Sequence, residues 1–98
     1  MKLETKIKKY IKLIKETENT VNKQYYLQKL NECKHEVIER ICKNDDFFNL
    51  YYNPSAKIYG IYAQDYIQAF FSLYSIKNIV CKLDKNINTQ IVNIDFDI

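Results

Sequence analysis

The spacing of apolar residues changes along this chain from a helical period to a strand period. Over residues 3–17 they recur at every third or fourth position, which places them on one face of an α-helix. This first stripe consists of Leu3, Ile7, Tyr10, Ile11 and Ile14. A second stripe over residues 21–43 consists of Tyr26, Leu30, Cys33, Val37 and Ile41, widened by Leu27 and Ile38. Over residues 89–98 apolar and polar residues alternate, as in a strand with one buried face. The pattern predicts an α+β fold.

A polar stretch, residues 16–20, separates the two predicted helices. Asn19 or Thr20 suits the N-cap of the second helix, because a short polar side chain there accepts a hydrogen bond from an amide of the first turn. Two amphipathic helices with so short a link favour an antiparallel helical hairpin. One long bent helix is the alternative.

The middle of the chain is aromatic and has a less regular period. Residues 47–52 fit either an edge strand or a last helical turn. Residues 53–56 are typical of a type I turn, because Pro54 has the φ angle that the second position needs. Residues 57–62 are predicted as a strand, and the single glycine, Gly60, indicates a bulge or a close backbone approach within it.

A further helix is expected from Asp65 to about Ser75, with Asp65 and Gln68 in a capping-box-like start. Apolar residues cover most of its circumference, so it is either nearly buried or presents one face to a partner. Residues 77–97 should form a β-hairpin around a turn-rich loop at residues 84–88. The predicted order is α-α-β-β-α-β-β: an N-terminal helical hairpin plus a small antiparallel sheet with one further helix.

The length and the net charge of the chain narrow the classes of protein to which it can belong. The chain has 98 residues, which fits one domain with a basic helical hairpin over residues 1–44 and an aromatic-rich part over residues 45–98. The net charge of +3 excludes an acidic DNA mimic and does not require a nucleic-acid partner. Arg40 is the only arginine among 15 basic residues, which disfavours bidentate contacts to bases or phosphates.

The first residues lack the apolar core of a secretory signal, and no apolar run reaches the roughly 18 residues that cross a bilayer. We therefore expect a cytoplasmic protein without a membrane span. In that compartment Cys33, Cys42 and Cys81 stay reduced.

The motifs of common catalytic and cofactor sites are missing from this sequence: there is no G-x-G-x-x-G, no P-loop, no serine elbow and no H-E-x-x-H. His35 and Cys42 would lie about 10 Å apart along a helix axis, too far for a base and thiolate pair. The cysteines lack the spacing of zinc ligands, and strand alternation explains Asp95 and Asp97. We expect no enzymatic activity, no cofactor and no metal site.

Two sets of residues are candidates for partner binding. Lysines lie opposite the apolar stripe of the first helix, where they can contact phosphates, anionic lipid or an acidic partner; the candidates are Lys8, Lys12 and Lys15. An ordinary solvated face is the alternative. Nine tyrosines and five phenylalanines exceed what a small core needs, and adjacent rings cannot all point inward. The tyrosines expected at the surface come from Tyr25, Tyr51, Tyr59 and Tyr62.

Exposed tyrosines make rigid contacts in protein interfaces and also stack on unpaired bases. The preferred hypothesis is a small non-enzymatic protein that occupies a surface of a larger protein, of the kind that phage or plasmid accessory proteins use to inhibit a host system. The first alternative is single-stranded nucleic-acid binding through the lysine face and the tyrosines. The second is a homodimer or other homo-oligomer, built on the helix at residues 65–75 or on the edge of the last strand.

Overall fold

The computed structural model describes the backbone of residues 1–84 and 89–98 and the side chains of residues 1–82 and 92–98. The elements in chain order are α1 (Leu3–Glu16), α2 (Thr20–Cys42), α3 (Asp45–Tyr52), β1 (Lys57–Ile58), β2 (Ile61–Tyr62), α4 (Ala63–Tyr74), β3 (Ile76–Asp84) and β4 (Thr89–Phe96). The α+β class and the N-terminal helical hairpin are confirmed. Residues 85–88 of the predicted loop lie outside the described residues.

Helices α1 and α2 form the hairpin, and each buries the stripe that its period predicts. The buried residues are Leu3, Ile7, Ile11 and Ile14 on α1, and Leu30, Cys33, Val37 and Ile41 on α2. Asn19 is the N-cap of α2, and its Oδ1 accepts hydrogen bonds from the amides of Val21 and Asn22 at 3.0 and 3.2 Å. This cap starts a new helix after the polar link, so the alternative of one long bent helix is wrong.

Residues 47–52 belong to a helix, α3, so the edge-strand alternative is wrong. Asn44 begins this helix, because its Oδ1 accepts a hydrogen bond from the amide of Phe47 at 3.0 Å. Asp45 and Asp46 follow in the first turn, where negative charge interacts favourably with the helix dipole. A short aromatic run suits either a strand or a helix, and here the cap selects the helix.

Residues 57–62 form two strands rather than one. β1 and β2 pair antiparallel, with Ile58 opposite Ile61, and the two residues between them form the turn. Gly60 is therefore a turn residue and marks neither a bulge nor a close backbone approach, because nothing lies within 4 Å of a Cβ added there. The described strands form two separate two-stranded sheets, β1-β2 and β3-β4, where the sequence predicted one. The turn at Pro54 is confirmed by a 2.9 Å hydrogen bond from the amide of Ala56 to the carbonyl of Asn53.

Helix α4 starts at Ala63, two residues before the predicted start at Asp65. Ala63 and Tyr74 are its buried residues, and Leu73 is exposed, so α4 is not nearly buried. It ends at Tyr74, Ser75 after it has a left-handed backbone, and the chain then enters β3 directly. Along its length α4 therefore retains surface that the rest of the described chain leaves uncovered.

The second sheet packs its apolar face against the helices. Ile79 on β3 lies opposite Ile94 on β4, and both are buried, whereas Asn93 and Asp95 are exposed as the alternation predicts. Two described side chains form hydrogen bonds with the main chain of this pair of residues. The Tyr51 hydroxyl donates to the carbonyl of Ile79 at 3.3 Å, and the Ile94 amide donates to Oδ1 of Asn93 at 3.0 Å.

The core lies between the helical hairpin, α3, α4 and the inner face of β3-β4. Phe47 is fully buried at its centre, with the Phe70 ring 5.1 Å away. Arg40 links the hairpin to α4, because its Nη1 donates to the hydroxyl of Tyr74 at 2.9 Å. Within the described chain, no helix combines the length and the apolar character needed to cross a membrane.

Candidate functional site

The β1-β2 hairpin turns through Tyr59 and Gly60, and both have left-handed backbone. The φ angle is 47° at Tyr59 and 81° at Gly60. Two positive φ angles in a two-residue loop are what a type I′ turn requires, and Asn, Asp and Gly are the residues preferred there. A left-handed backbone costs a residue with a Cβ about 1–2 kcal/mol. Gly60 suits its position, whereas Tyr59 is strained.

Most side chains of this hairpin are exposed to solvent, and Ile58 is half-buried. Tyr59 is 93% exposed, Tyr62 57% and Ile61 47%. The ammonium group of Lys57 lies 5.6 Å from the centre of the Tyr62 ring, within cation–π range. We call Tyr59, Ile61 and Tyr62 the hairpin patch. It presents aromatic and aliphatic area that the core does not use, with a cation beside it.

The base of the hairpin is fixed to the adjoining elements. The amide of Ala63 donates to the carbonyl of Ala56 at 3.0 Å, so the chain closes behind the hairpin at the first residue of α4. Ala63 itself is buried. Because the support is ordered, a partner that binds the hairpin patch has less conformational entropy to remove.

An apolar pocket of about 210 Å³ lies between the end of α3 and the first turns of α4. It is lined by Leu50, Tyr51, Pro54, Ala63, Gln64, Ile67 and Gln68. A cavity of about 150 Å³ is enough to hold benzene, so this pocket has room for one aliphatic side chain. Tyr51 forms part of its wall. The Tyr51 ring stacks against Phe47, with centroids 5.9 Å apart, so this tyrosine is half-buried.

A larger groove of about 950 Å³ runs between α1, α4 and the start of β3. Its lining residues are Lys8, Ile11, Lys12, Lys15, Glu16, Gln68, Phe71, Ser72, Ser75, Ile76, Lys77 and Asp97. We call it the lysine groove. Lys8, Lys12 and Lys15 are four and three residues apart, so they share a face of α1. The structure brings together the three lysines that the sequence singled out, and α4 supplies the opposite wall.

The lysine groove carries a net positive charge. Four lysines line it against two carboxylates, Glu16 and Asp97. Among the described side chains the ion pair is Lys29–Glu32 on α2, so no groove lysine has a carboxylate within 4.0 Å. An anionic group that enters the groove therefore meets ammonium groups that form no ion pair with any side chain the structure describes.

Tyr25 lies elsewhere, on the N-terminal half of α2. It is 53% exposed and packs edge-on against Tyr26, with ring centroids 5.8 Å apart. It lines neither the pocket nor the groove. The sequence predicts that some of four tyrosines are exposed, and in the structure Tyr25, Tyr59 and Tyr62 are exposed and Tyr51 is half-buried.

The cysteines and the histidine are dispersed over the helices and β3. Cys33 is buried, and Cys81 is partly buried against the core, so both act as small apolar packing residues. Burial, with a smaller contribution from nearby Cys42, raises the pKa of Cys81 to about 11. His35 and Cys42 are exposed. Among the described residues, no group of three or more His, Cys, Asp or Glu side chains is placed to hold a metal ion.

The sequence did not predict that α4 lines both the apolar pocket and the lysine groove. Gln64, Gln68, Ser72 and Ser75 recur at helical spacing and indicate a polar face, but the sequence does not say which element that face adjoins. The hairpin turn was missed because its first residue is a tyrosine instead of the usual Asn or Asp. Comparison with known protein families, curated proteins and solved structures finds no match to this chain.

Proposed function

We propose that this chain is a non-enzymatic binding protein that uses the hairpin patch to occupy a surface of a larger protein. The observation that carries the proposal is Tyr59, which combines 93% exposure with a left-handed backbone. The ring contributes little packing to the fold, and its position destabilises the turn. Strained, exposed residues of this type concentrate at binding and recognition sites.

The chemistry of the patch suits a protein interface. Tyrosine is enriched among the residues that dominate interface energetics, because one rigid ring covers a large area at low entropic cost. Ile61 and Tyr62 extend the contact on both faces of the hairpin, since successive strand residues point to opposite sides. Lys57 supplies a polar rim.

The separation of rings and lysines favours a protein over single-stranded nucleic acid. Binding of unpaired bases needs aromatic rings along a basic groove. Tyr25, Tyr59 and Tyr62 do not line the lysine groove, and its one ring, Phe71, is half-buried. Arg40, the single arginine, already donates to Tyr74.

The test is capture of the partner from nuclease-treated extract of the native cell, followed by a binding assay with the purified partner. Tyr59→Asn removes the ring and keeps a residue that tolerates the left-handed turn. Tyr25→Gln is the matched control, because it removes an exposed ring from α2. We expect Tyr59→Asn to weaken binding about tenfold or more, and Tyr25→Gln to change it less than twofold.

The opposite ranking of the two variants would place the interface on the helical hairpin and contradict the proposal. Loss of all binding after nuclease treatment would indicate nucleic acid as the partner. Circular dichroism spectra of both variants establish that the fold is retained.

A further inference from the structure

We infer that the lysine groove and the neighbouring apolar pocket together bind an acidic segment of the partner protein that carries one aliphatic side chain. The inference rests on the proposed function and adds a second contact to it. The hairpin patch accounts for neither the groove nor the pocket, since none of its three residues lines them.

The two concavities adjoin each other along α4. Gln68 lines both of them, Gln64 lies at the pocket end and Ser75 at the groove end. With a rise of 1.5 Å per residue, the helix spans about 15 Å between Gln64 and Tyr74, and Ser75 follows directly. An extended segment of about five residues has that length.

Charge determines the chemistry of the occupant. Lys8, Lys12 and Lys15 form one wall, Lys77 lies at the entrance to β3, and none has a carboxylate within ion-pair distance in the described part of the chain. Side-chain carboxylates of a partner would complete these pairs. Complementary charge of this type increases the association rate and excludes basic segments.

The floor of the lysine groove and the adjoining pocket are apolar, so the occupant should also carry an apolar side chain. Ile11, Phe71 and Ile76 line the groove floor. The pocket next to it is bounded by Leu50 and Ile67 and has room for one aliphatic side chain. A segment with acidic residues around one Leu or Ile matches both features.

Nucleic acid fits the same surface less well. Phosphates would satisfy the lysines, but the bases would find only the half-buried ring of Phe71 in the groove, and the apolar pocket would remain unused. We therefore argue for the acidic segment and make nucleic acid an outcome of the test.

The test uses NMR titration of the full chain with three probes: a nonapeptide of Asp and Glu with a central Leu, the same peptide with Ser in place of Leu, and a twelve-residue oligothymidylate. We expect the Leu peptide to shift the resonances of Ile67, Gln68, Phe71 and Ser72 and to bind about tenfold more tightly than the Ser peptide. Tighter binding by the oligonucleotide, or no binding by the Leu peptide, would overturn the inference.

Two triple variants with the same net charge as each other show whether the peptide binds in the groove. The triple variant Lys8→Glu, Lys12→Glu, Lys15→Glu should weaken peptide binding by about tenfold or more, and raising salt should have the same direction of effect. The matched control is Lys2→Glu, Lys9→Glu, Lys23→Glu, which reverses three exposed lysines outside the groove. Equal losses in the two triple variants would indicate a non-specific charge effect and would overturn the inference.

The outcomes for the two surfaces are distinguishable. Loss of partner binding in Tyr59→Asn, with no effect of the groove variant on partner or peptide, would refute the groove inference and leave the proposed function intact. If the peptide binds in the groove and Tyr59→Asn leaves partner binding unchanged, the proposed role of the hairpin patch is refuted and the groove inference stands.

Discussion

Replacing Tyr59 by Asn should make the protein more stable, although it removes an aromatic ring. The φ angle of 47° places this residue in the left-handed region, which costs a tyrosine about 1–2 kcal/mol and is much better tolerated by Asn. Burial of the Tyr59 ring contributes little to stability. Tyr59 is 93% exposed, so less than about 20 Å² of its roughly 200 Å² is buried, worth at most about 0.5 kcal/mol. The expected gain in the free energy of unfolding is about 0.5–1.5 kcal/mol.

Urea denaturation followed by circular dichroism measures this gain. The midpoint should rise while the m-value stays constant, and Tm should increase by about 4–8 °C for each kcal/mol in a chain of this size. Gly60→Ala is the companion variant. Nothing lies within 4 Å of an added Cβ, but the φ angle of 81° strains any residue with a side chain, so we expect a loss of about 1 kcal/mol. A lower midpoint for Tyr59→Asn would refute the argument, because it would mean that the ring packs against the fold or that the turn is not left-handed.

Three further predictions concern the core and the thiols. Phe70→Ala should lower the free energy of unfolding by about 3 kcal/mol, because its ring packs 5.1 Å from Phe47 and 5.0 Å from Tyr74; a loss below about 1 kcal/mol in urea denaturation would contradict that packing. At pH 8 iodoacetamide should alkylate exposed Cys42 well before Cys81, which is half-buried and whose pKa is raised to about 11; equal rates measured by mass spectrometry would contradict this difference in exposure. Because the folded chain holds the Cys81 proton more tightly than the unfolded chain, the contribution of this thiol to stability is complete below pH 9 and declines toward pH 11, so Cys81→Ala should flatten that part of the stability profile.

The sequence predicted those parts of the fold that depend on local periodicity. The stripes on α1 and α2 extend over several turns, and Asn19 marks the start of the second helix, so both helices and their link were predictable. The sequence did not decide whether residues 47–52 form a strand or a helix, because six residues are too few to separate a period of 2 from a period of 3.6. The cap at Asn44 decides it, and its hydrogen bond to the amide of Phe47 is visible only in the structure.

The candidate sites divide in the same way. Helical spacing alone places Lys8, Lys12 and Lys15 on one face, and surplus tyrosine predicts exposed rings. The tertiary arrangement decides the rest: that α4 faces those lysines, that the Tyr51 hydroxyl bonds to the carbonyl of Ile79 on β3, and that the hairpin patch lies apart from the groove. These facts depend on which helix packs against which, and no short-range pattern in the sequence encodes them.

Two of the described side chains hydrogen-bond to the main chain of the second sheet, and these bonds have a consequence for self-association. A two-stranded sheet has an outer border on each strand, and such borders are templates on which foreign strands can grow into fibres. On β3 the phenol of Tyr51 occupies the carbonyl of Ile79, and on β4 the side-chain amide of Asn93 occupies the N–H of Ile94. A strand that added to either border would first have to displace the hydrogen bond on that border, so one backbone group on each strand is less available for fibre growth.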